Sequence, residues 1–144
     1  MRVIKLAQCP PPTIGPEASV LDAVRVMQKA NVGAAAVMRG KRLVGVVSER
    51  DVMLRVVAAR KSAARTKVKD VMTRTVKTVS PECPADEALE VMVKNHIRHV
   101  VLVNEDNKVI GLASSRDLFR AHVESLDDQV QTLEAFVGND DHGG

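Results

Sequence analysis

The chain has 144 residues and a mass of 15.6 kDa, which suits one domain, or two small motifs that share a core, and excludes a multidomain enzyme. Hydrophobic residues make up 45% and charged residues 27%, which excludes global disorder. Two Phe are the only aromatic residues, too few to form a surface on which the bases of a single-stranded nucleic acid could stack. The formal charge of +3 falls short of a dedicated polyanion-binding domain and names no partner.

The N-terminal segment MRVIKLAQCPPP lacks the apolar core of a signal peptide, because Lys5 and Gln8 interrupt it and prolines follow. Apolar runs such as 33–38 are much shorter than the ~20 residues that span a bilayer. Cys9 and Cys83 lie far apart without Cys-x-x-Cys spacing, so no disulfide is assigned to them. We therefore expect a soluble, cytoplasmic protein with two reduced thiols and no membrane partner.

A helix is predicted to begin near Ser19, where Ser19 and Asp22 have the spacing of a capping box. Val20, Val24 and Met27 then fall on one helical face, and the helix should end near Asn31 and Gly33. The short apolar runs AAAVM and LVGVVS, separated by the polar RGKR, predict a β-hairpin. The preceding TIGP can supply a leading strand.

The chain repeats this unit once. GVVSERD at 45–51 returns as GLASSRD at 111–117, and DAVRVM at 22–27 returns as EALEVM at 87–92, with an offset one residue shorter. The difference falls in the hairpin turn, where insertions are tolerated. In the second unit TVKTVSP can supply the leading strand, and a helix follows with Leu89, Met92, Val93 and His96 on one face. The hairpin is then IRHVVLV, the turn NEDNK and VIGLAS. The repeat predicts an α+β fold of two βαββα units, which should pack together because ~60 residues alone bury too little apolar surface.

Between the units lies a basic run at 60–77, which contains Asp70 as its only acid. Its seven basic residues are Arg60, Lys61, Arg65, Lys67, Lys69, Arg74 and Lys77. Such runs are usually solvated linkers, and we favour that interpretation over a nucleic-acid contact.

The duplicated Ser-x-x-Asp motifs, 48–51 and 114–117, each lie where a strand ends and a helix begins. Free backbone N–H groups there favour a phosphate, and the Asp carboxylate can accept two hydrogen bonds from vicinal ribose hydroxyls. The same spacing is also a capping box, in which Ser and Asp only satisfy the first helical turn. The motif alone leaves both interpretations open.

Residues 10–123 resemble a tandem pair of cystathionine β-synthase (CBS) domains, in which apolar-Gly-apolar-apolar-Ser-x-x-Asp precedes the second helix of each copy. NVGAAAVMRGKRLVGVVSERDV resembles the first copy, and VMTRTVKTVSP with IRHVVLV resembles the second. The resemblance implies two motifs with pseudo-two-fold symmetry, dimers shaped as flat discs and an adenosine-containing ligand between the copies. We assign 1–62 to the first motif, 63–123 to the linker and second motif, and 124–144 to a C-terminal helix and tail.

The resemblance also implies two ligand clefts. Ser48, Arg50 and Asp51 would meet Val76, Thr78, Arg98 and His99 in one cleft, and Ser114, Arg116 and Asp117 would meet Thr13, Ile14, Gly33 and Ala34 in the other. Arg98 and His99 correspond to residues that contact phosphates in such pairs. The second cleft lacks these basic residues, so it should bind weakly, prefer an uncharged adenosyl group or stay empty. Val101 replaces the common Pro of the second strand, which leaves the shape of the adenine pocket open.

An apolar seam follows the second Ser-x-x-Asp motif and ends at Gly138. Its residues, Phe119, Val123, Leu126, Val130, Leu133 and Val137, alternate in steps of four and three, as in a heptad repeat. Two interpretations remain open, a helix that folds back over its own domain and an intermolecular seam. The length of the stripe favours a homodimer. The tail NDDHGG is expected to be loose.

The function that these features favour is a regulatory module that senses ATP, ADP, AMP or a related adenosyl compound such as S-adenosylmethionine or NADH, and signals to an unidentified effector protein. The alternatives are a ligand-free dimerisation module and a nucleic-acid binder that uses the basic run. An enzyme is not expected, because Cys9 and Cys83 have no adjacent base motif and neither Ser-x-x-Asp unit contains a His. No cofactor or metal is assigned, because His96, His122 and His142 have no ligand spacing.

Overall fold

A computed structural model describes residues 1–143, with side chains as far as Gly138. The first motif contains strand β1 (Thr13–Ile14), helix α1 (Val20–Ala30), strands β2 (Ala34–Arg39) and β3 (Arg42–Ser48), and the short helix α2 (Glu49–Val52), which continues as a π-helical turn (Met53–Val57). Its sheet has the order β1-β2-β3, with β1 parallel and β3 antiparallel to β2.

The second motif repeats this order. It contains strand β4 (Thr78–Val79), helix α3 (Ala85–Asn95), strands β5 (His99–Val103) and β6 (Val109–Ser114), and the long helix α4 (Ser115–Gly143). The second sheet has the order β4-β5-β6, again with a parallel first strand. The predicted α+β fold of two βαββα motifs with a C-terminal helix is confirmed, including both leading strands.

Local sequence signals explain where the first helix of each motif ends. The backbone N–H of Asp22 donates to Ser19 Oγ at 3.1 Å, so Ser19 caps α1 as predicted. Asn31 after α1 and His96 after α3 both adopt the left-handed conformation that terminates helices. These equivalent ends turn the chain directly into β2 and β5.

Three apolar clusters form the interior. The first joins α1 to the first sheet around Val20, Met27 and Val37, and the second joins α3 to the second sheet around Met92 and Leu102. The third lies between the motifs and contains Ala34 from β2, Val101 from β5 and Leu112 from β6, all essentially buried. The two sheets therefore meet along a shared apolar seam.

The N-terminal segment, which precedes the first motif in the chain, packs against the second motif. A 3₁₀ turn (Val3–Leu6) places Val3 in the second core, and the backbone N–H of Val3 donates to the carbonyl of Cys83 at 2.8 Å. The equivalent 3₁₀ turn (Val68–Asp70) packs Val68 into the first core in the same way. The two motifs thus exchange their leading segments.

Helix α4 extends away from the body. Leu118 is buried in the second core, but the seam residues from Val123 to Val137 are exposed, so the described part of the helix does not fold back over its own domain. The helix backbone continues past the predicted end at Gly138 to Gly143, so most of the segment predicted to be loose is helical. The last residue of that segment, Gly144, lies outside the described residues. None of the helices within 1–143 is long and apolar enough to cross a bilayer.

Candidate functional site

Both Ser-x-x-Asp motifs line one continuous cleft of about 1140 Å³. We call them the Ser48 corner (48–51) and the Ser114 corner (114–117). The family resemblance implies two separate clefts, whereas both corners line the same cleft here. The structure joins them because β3 and β6, which end at Ser48 and Ser114, approach each other across the apolar seam.

In the Ser48 corner, the carboxylate of Asp51 is already bonded by its own chain. It accepts hydrogen bonds from the backbone N–H of Ser48 at 3.0 Å, and from the hydroxyls of Ser48 at 3.2 Å and Thr73 at 3.1 Å. Asp51 is only 8% exposed, and Arg55 Nη1 lies 4.0 Å from its Oδ1. This corner is a complete capping box that also holds the linker through Thr73.

The Ser114 corner is more open. The Ser114 hydroxyl donates to Asp117 Oδ2 at 3.0 Å and accepts from the backbone N–H of Asp117 at 3.3 Å. In the repeat, Gln8 takes the place of Thr73, and it pairs with Leu112 through its backbone. Among the hydrogen bonds of the described residues, no second side chain donates to the half-buried Asp117. Its carboxylate therefore keeps free acceptor positions.

Arg98 and His99, which the family resemblance places with the Ser48 corner, line the cleft between the two corners, and the charges that act on His99 come from Glu49 and Asp51 as well as from Asp117. His99 begins β5 and pairs with Ser114 across the sheet, while the carbonyl of Arg98 accepts from the backbone N–H of Ser115 at 2.8 Å. Burial lowers the pKa of His99, the charge of Arg98 lowers it further, and the carboxylates of Glu49 and Asp117 oppose the shift. The imidazole is therefore neutral near neutral pH, while Arg98 supplies a permanent positive charge.

In the first motif the position that corresponds to Arg98 is Gly33, which has no side chain. The carbonyl of Gly33 accepts from the backbone N–H of Glu49 at 2.9 Å, and a Cβ on Gly33 would lie 2.7 Å from Glu49 Oε1. The carboxylate of Glu49 therefore lies beside Gly33, and Glu49 lines the cleft as an exposed residue. Glu49, Thr73 and Lys77 also line the cleft and were not predicted from the sequence. The signal for Glu49 was its place within the Ser-x-x-Asp motif, opposite Ser115 in the other copy.

The cleft brings together most of the predicted site residues and leaves four outside. Those that line it are Gly33, Ser48, Arg50, Asp51, Val76, Arg98, His99, Ser114, Arg116 and Asp117. Thr13 and Thr78 are exposed on the short leading strands, Ile14 packs against the first core, and Ala34 is fully buried in the seam. No residue of the two leading strands is therefore among the residues that line the cleft.

Part of the basic run is occupied within the chain. Lys67 and Lys69 each lie 3.0 Å from an oxygen of the Glu17 carboxylate, and Arg74 donates to the carbonyl of Lys69 at 3.1 Å. These contacts fold the run onto the first motif and reduce the charge that it can offer to a polyanion.

Comparison with known proteins gave consistent matches. A family model for the CBS domain matches residues 3–58 and 68–124. The mitochondrial CBS domain-containing protein CBSX3 of Arabidopsis thaliana is 36% identical over 124 residues, which are 83% of this chain but 60% of that protein. The chain thus spans less than two thirds of that relative's length.

Two solved structures are also similar. The CBS domain protein PAE2072 from Pyrobaculum aerophilum, complexed with AMP, is 33% identical with a TM-score of 0.73, and the match covers 81% of this chain and 89% of that one. The CBS domain pair of protein MJ0100, in complex with 5′-methylthioadenosine and S-adenosyl-L-methionine, is 25% identical with a TM-score of 0.78, covering 87% of this chain and 98% of that one.

Proposed function

This chain belongs to the CBS domain family, and from that premise we propose that it is a regulatory module that binds an adenosine-containing ligand between its two motifs. The ligands of PAE2072 and MJ0100 support the ligand class, since AMP, 5′-methylthioadenosine and S-adenosyl-L-methionine share an adenosyl group. ATP, ADP, AMP, S-adenosylmethionine and NADH are the candidates.

The free acceptor positions of Asp117 are the observation that carries this proposal. A carboxylate that is half-buried in a cleft, with one side-chain donor among the described residues, is suited to accept two hydrogen bonds from a ribose. Asp51 has the same place in its motif but already accepts from Ser48 and Thr73. We therefore propose Asp117 as the principal ribose-binding residue, with Asp51 mainly structural.

Cationic side chains around the Ser114 corner fit the phosphates of such a ligand. Arg98 and Arg116 are exposed at the cleft and fully charged at neutral pH, and the imidazole of His99 can donate one hydrogen bond. Aliphatic residues such as Val76 and Ile97 line the same cleft and can enclose the adenine. A nucleotide is thus a better fit for this corner than a free nucleoside.

Signalling in this proposal needs no chemical reaction. A ligand that contacts both motifs stabilises the arrangement in which they enclose it, and this shift in population is what a partner can detect. We propose that the chain acts as a cytoplasmic, non-enzymatic sensor for an effector protein, and not as a nucleic-acid binder, since Glu17 already pairs with Lys67 and Lys69.

Homodimerisation through α4 is part of the proposal. The exposed seam places Val at one core position of each heptad (Val123, Val130, Val137) and Leu at the other (Leu126, Leu133). Val and Leu in this order favour a parallel two-stranded coiled coil, so a second copy of the chain is the matching partner.

Asp117→Asn and Asp51→Asn test the binding site as a matched pair. We expect AMP or another adenosyl ligand to raise the melting temperature of the wild type. Asp117→Asn should weaken binding by roughly 10- to 100-fold in calorimetry with little change in stability, because hydrogen bonds to a charged group are lost only in the complex. Asp51→Asn should instead lower stability by about 1–2 kcal/mol.

Two outcomes would contradict the proposal. If no adenosyl compound among the five candidates shifts the melting temperature, the chain is a ligand-free dimerisation module. If Asp117→Asn binds as tightly as the wild type, the ribose does not lie at Asp117.

A further inference from the structure

We propose that Arg55 is a positioning residue for the ligand cleft, because it holds the linker between the motifs (residues 71–77) in place as one wall of that cleft. The inference deepens the proposed function and rests on it. Arg55 thereby affects ligand affinity through the linker, without a contact of its own to the ligand.

The hydrogen bonds of Arg55 are the first observation. Its Nη1 donates to the carbonyl of Val71 at 2.9 Å and to the carbonyl of Met72 at 3.1 Å. The side chains of Val71 and Met72 are buried in the first core. Hydrogen bonds from a charged donor are stronger than those between neutral groups. Arg55 therefore holds the linker at the point where it leaves the first core.

The course of the linker is the second observation. On the first motif, Thr73 pairs with Val46 through two backbone hydrogen bonds of 2.8 and 2.9 Å. On the second motif, the carbonyl of Lys77 accepts from the backbone N–H of Val101 at 3.2 Å. From 75 to 77 every residue of the linker lines the cleft. The linker is thus anchored on both motifs, and its position sets the shape of the cleft between them.

The repeat supplies the third observation. Ala121 takes the place of Arg55 in the second motif, since each follows the Asp of its Ser-x-x-Asp motif by four residues. Ala121 lies in the regular helix α4, whereas Arg55 lies in the π-helical turn (Met53–Val57), and such turns occur frequently at functional sites. Because the side chain of Ala121 cannot donate a hydrogen bond, the repeated fold itself does not require this contact.

The expected effect of Arg55 is preorganisation of the cleft. A linker that is already in place before the ligand binds lowers the entropy cost of binding. When Arg55 is lost, the linker forms the wall for only a fraction of the time, and the apparent affinity falls by that fraction. This reduction applies to any adenosyl ligand, with or without phosphate. A direct contact between the guanidinium and a phosphate would instead strengthen the binding of AMP alone.

Arg55→Met, with AMP and adenosine as ligands, tests this distinction. We expect both dissociation constants to rise by about tenfold in titration calorimetry, because both ligands need the same wall. Arg25→Met is the matched control, since Arg25 is an exposed arginine on α1 that pairs with Asp22 at 3.7 Å and lies outside the cleft. It should leave both dissociation constants unchanged.

Limited proteolysis measures the linker directly, because trypsin cleaves after arginine and lysine, and Arg74 and Lys77 lie in the linker. We expect cleavage after these two residues, identified by mass spectrometry, to be about fivefold faster in Arg55→Met than in the wild type. AMP should slow this cleavage in the wild type. Arg25→Met should be cleaved there at the wild-type rate.

Each contrary result has a distinct meaning. If Arg55→Met binds both ligands as tightly as the wild type, loses affinity for AMP alone, or is cleaved in the linker no faster than the wild type, this inference alone is overturned. If the wild type binds neither AMP nor adenosine nor any other adenosyl compound, the proposed function fails and this inference fails with it. Should Arg55→Met melt far below the wild type, Arg55→Lys replaces it and should show the same changes at a smaller size, because its ammonium keeps the charge but not the reach of the guanidinium.

Discussion

At the scale of single residues, His99 lies where the charges of both motifs meet. The side chain is largely buried at the start of β5, and burial is the main reason that its pKa is lowered from the ordinary value of 6.5. The unfolded chain therefore binds a proton at a higher pH than the folded chain does. Below about pH 6.5 this difference favours unfolding, and its effect grows until the folded-state pKa is reached.

We expect the melting temperature of the wild type to fall as the pH drops below 6.5, because protonation of His99 favours the unfolded chain. His99→Gln should not show this part of the decrease, because Gln does not titrate. The measurement is the melting temperature of both proteins between about pH 7.5 and 5. The advantage of the wild type over His99→Gln should shrink on acidification. His96→Asn, at an exposed position whose left-handed backbone Asn tolerates, is the control. Parallel pH profiles of His99→Gln and the wild type would contradict the prediction.

The sequence predicts the positions of both Ser-x-x-Asp corners, but it does not predict that their carboxylates have different hydrogen-bond partners. Ser48, Asp51, Ser114 and Asp117 follow from the repeat, whereas the bond from Thr73 that occupies Asp51 depends on where the linker returns to β3. Spacing along the chain does not encode this return. The strand residues Thr13 and Thr78, which the resemblance predicts as ligand contacts, are exposed and are not among the residues that line the cleft.

At the scale of elements, the exchanged 3₁₀ turns hold the motifs together. The chain before β1 packs with the second motif, and the chain before β4 packs with the first, so each motif needs residues that precede its partner. Val3 and Val68 are both fully buried at equivalent positions. Separating the chain between the motifs would therefore remove a core residue from each.

Val3→Ala should destabilise the protein by about 2 kcal/mol, because it deletes two buried methyl groups and leaves a cavity in the second core. Chemical denaturation gives the free energy of unfolding. Val93→Ala removes the same atoms from a side chain that is 62% exposed on α3 and should cost less than about 0.5 kcal/mol. Equal stability of Val3→Ala and the wild type would show that the N-terminal turn is dispensable for the second core.

Hydrophobic periodicity predicted the first helix and the hairpin of each motif, whereas the two-residue leading strands were expected only from the place of TIGP and TVKTVSP in the repeated unit. Periodicity does not identify the surface against which an apolar face packs, so the N-terminal segment was assigned to its neighbour in sequence. The resemblance between RVIKLAQ at 2–8 and KVKDVMT at 67–73, at the same offset as the α1 and α3 helices, was the available signal.

At the scale of the whole molecule, a compact pair of motifs carries a helix whose apolar stripe has no partner within the described chain. Seam residues such as Leu126, at 47% exposure, and Leu133, at 64%, lie beyond the body. Most of the stability of a helix in a protein comes from packing its apolar face, so this part of α4 needs a packing surface. Phe119 both begins the stripe and lines the cleft, which connects the proposed dimer seam to the ligand site.

Substituting both leucines of the seam tests this arrangement. We expect the wild type to elute with twice the 15.6 kDa chain mass in light scattering, and Leu126→Lys/Leu133→Lys to elute as a monomer, since two charges at one core position of consecutive heptads cannot be buried in the seam. Ser125→Lys/Thr132→Lys adds the same charges one residue before each leucine, at heptad positions that point away from the seam, and should remain dimeric. A monomeric wild type, or a leucine variant that remains dimeric, would place the homodimer contact elsewhere or exclude it. Because Phe119 joins the seam to the cleft, the monomeric variant should also bind AMP with altered affinity if ligand and dimer are coupled.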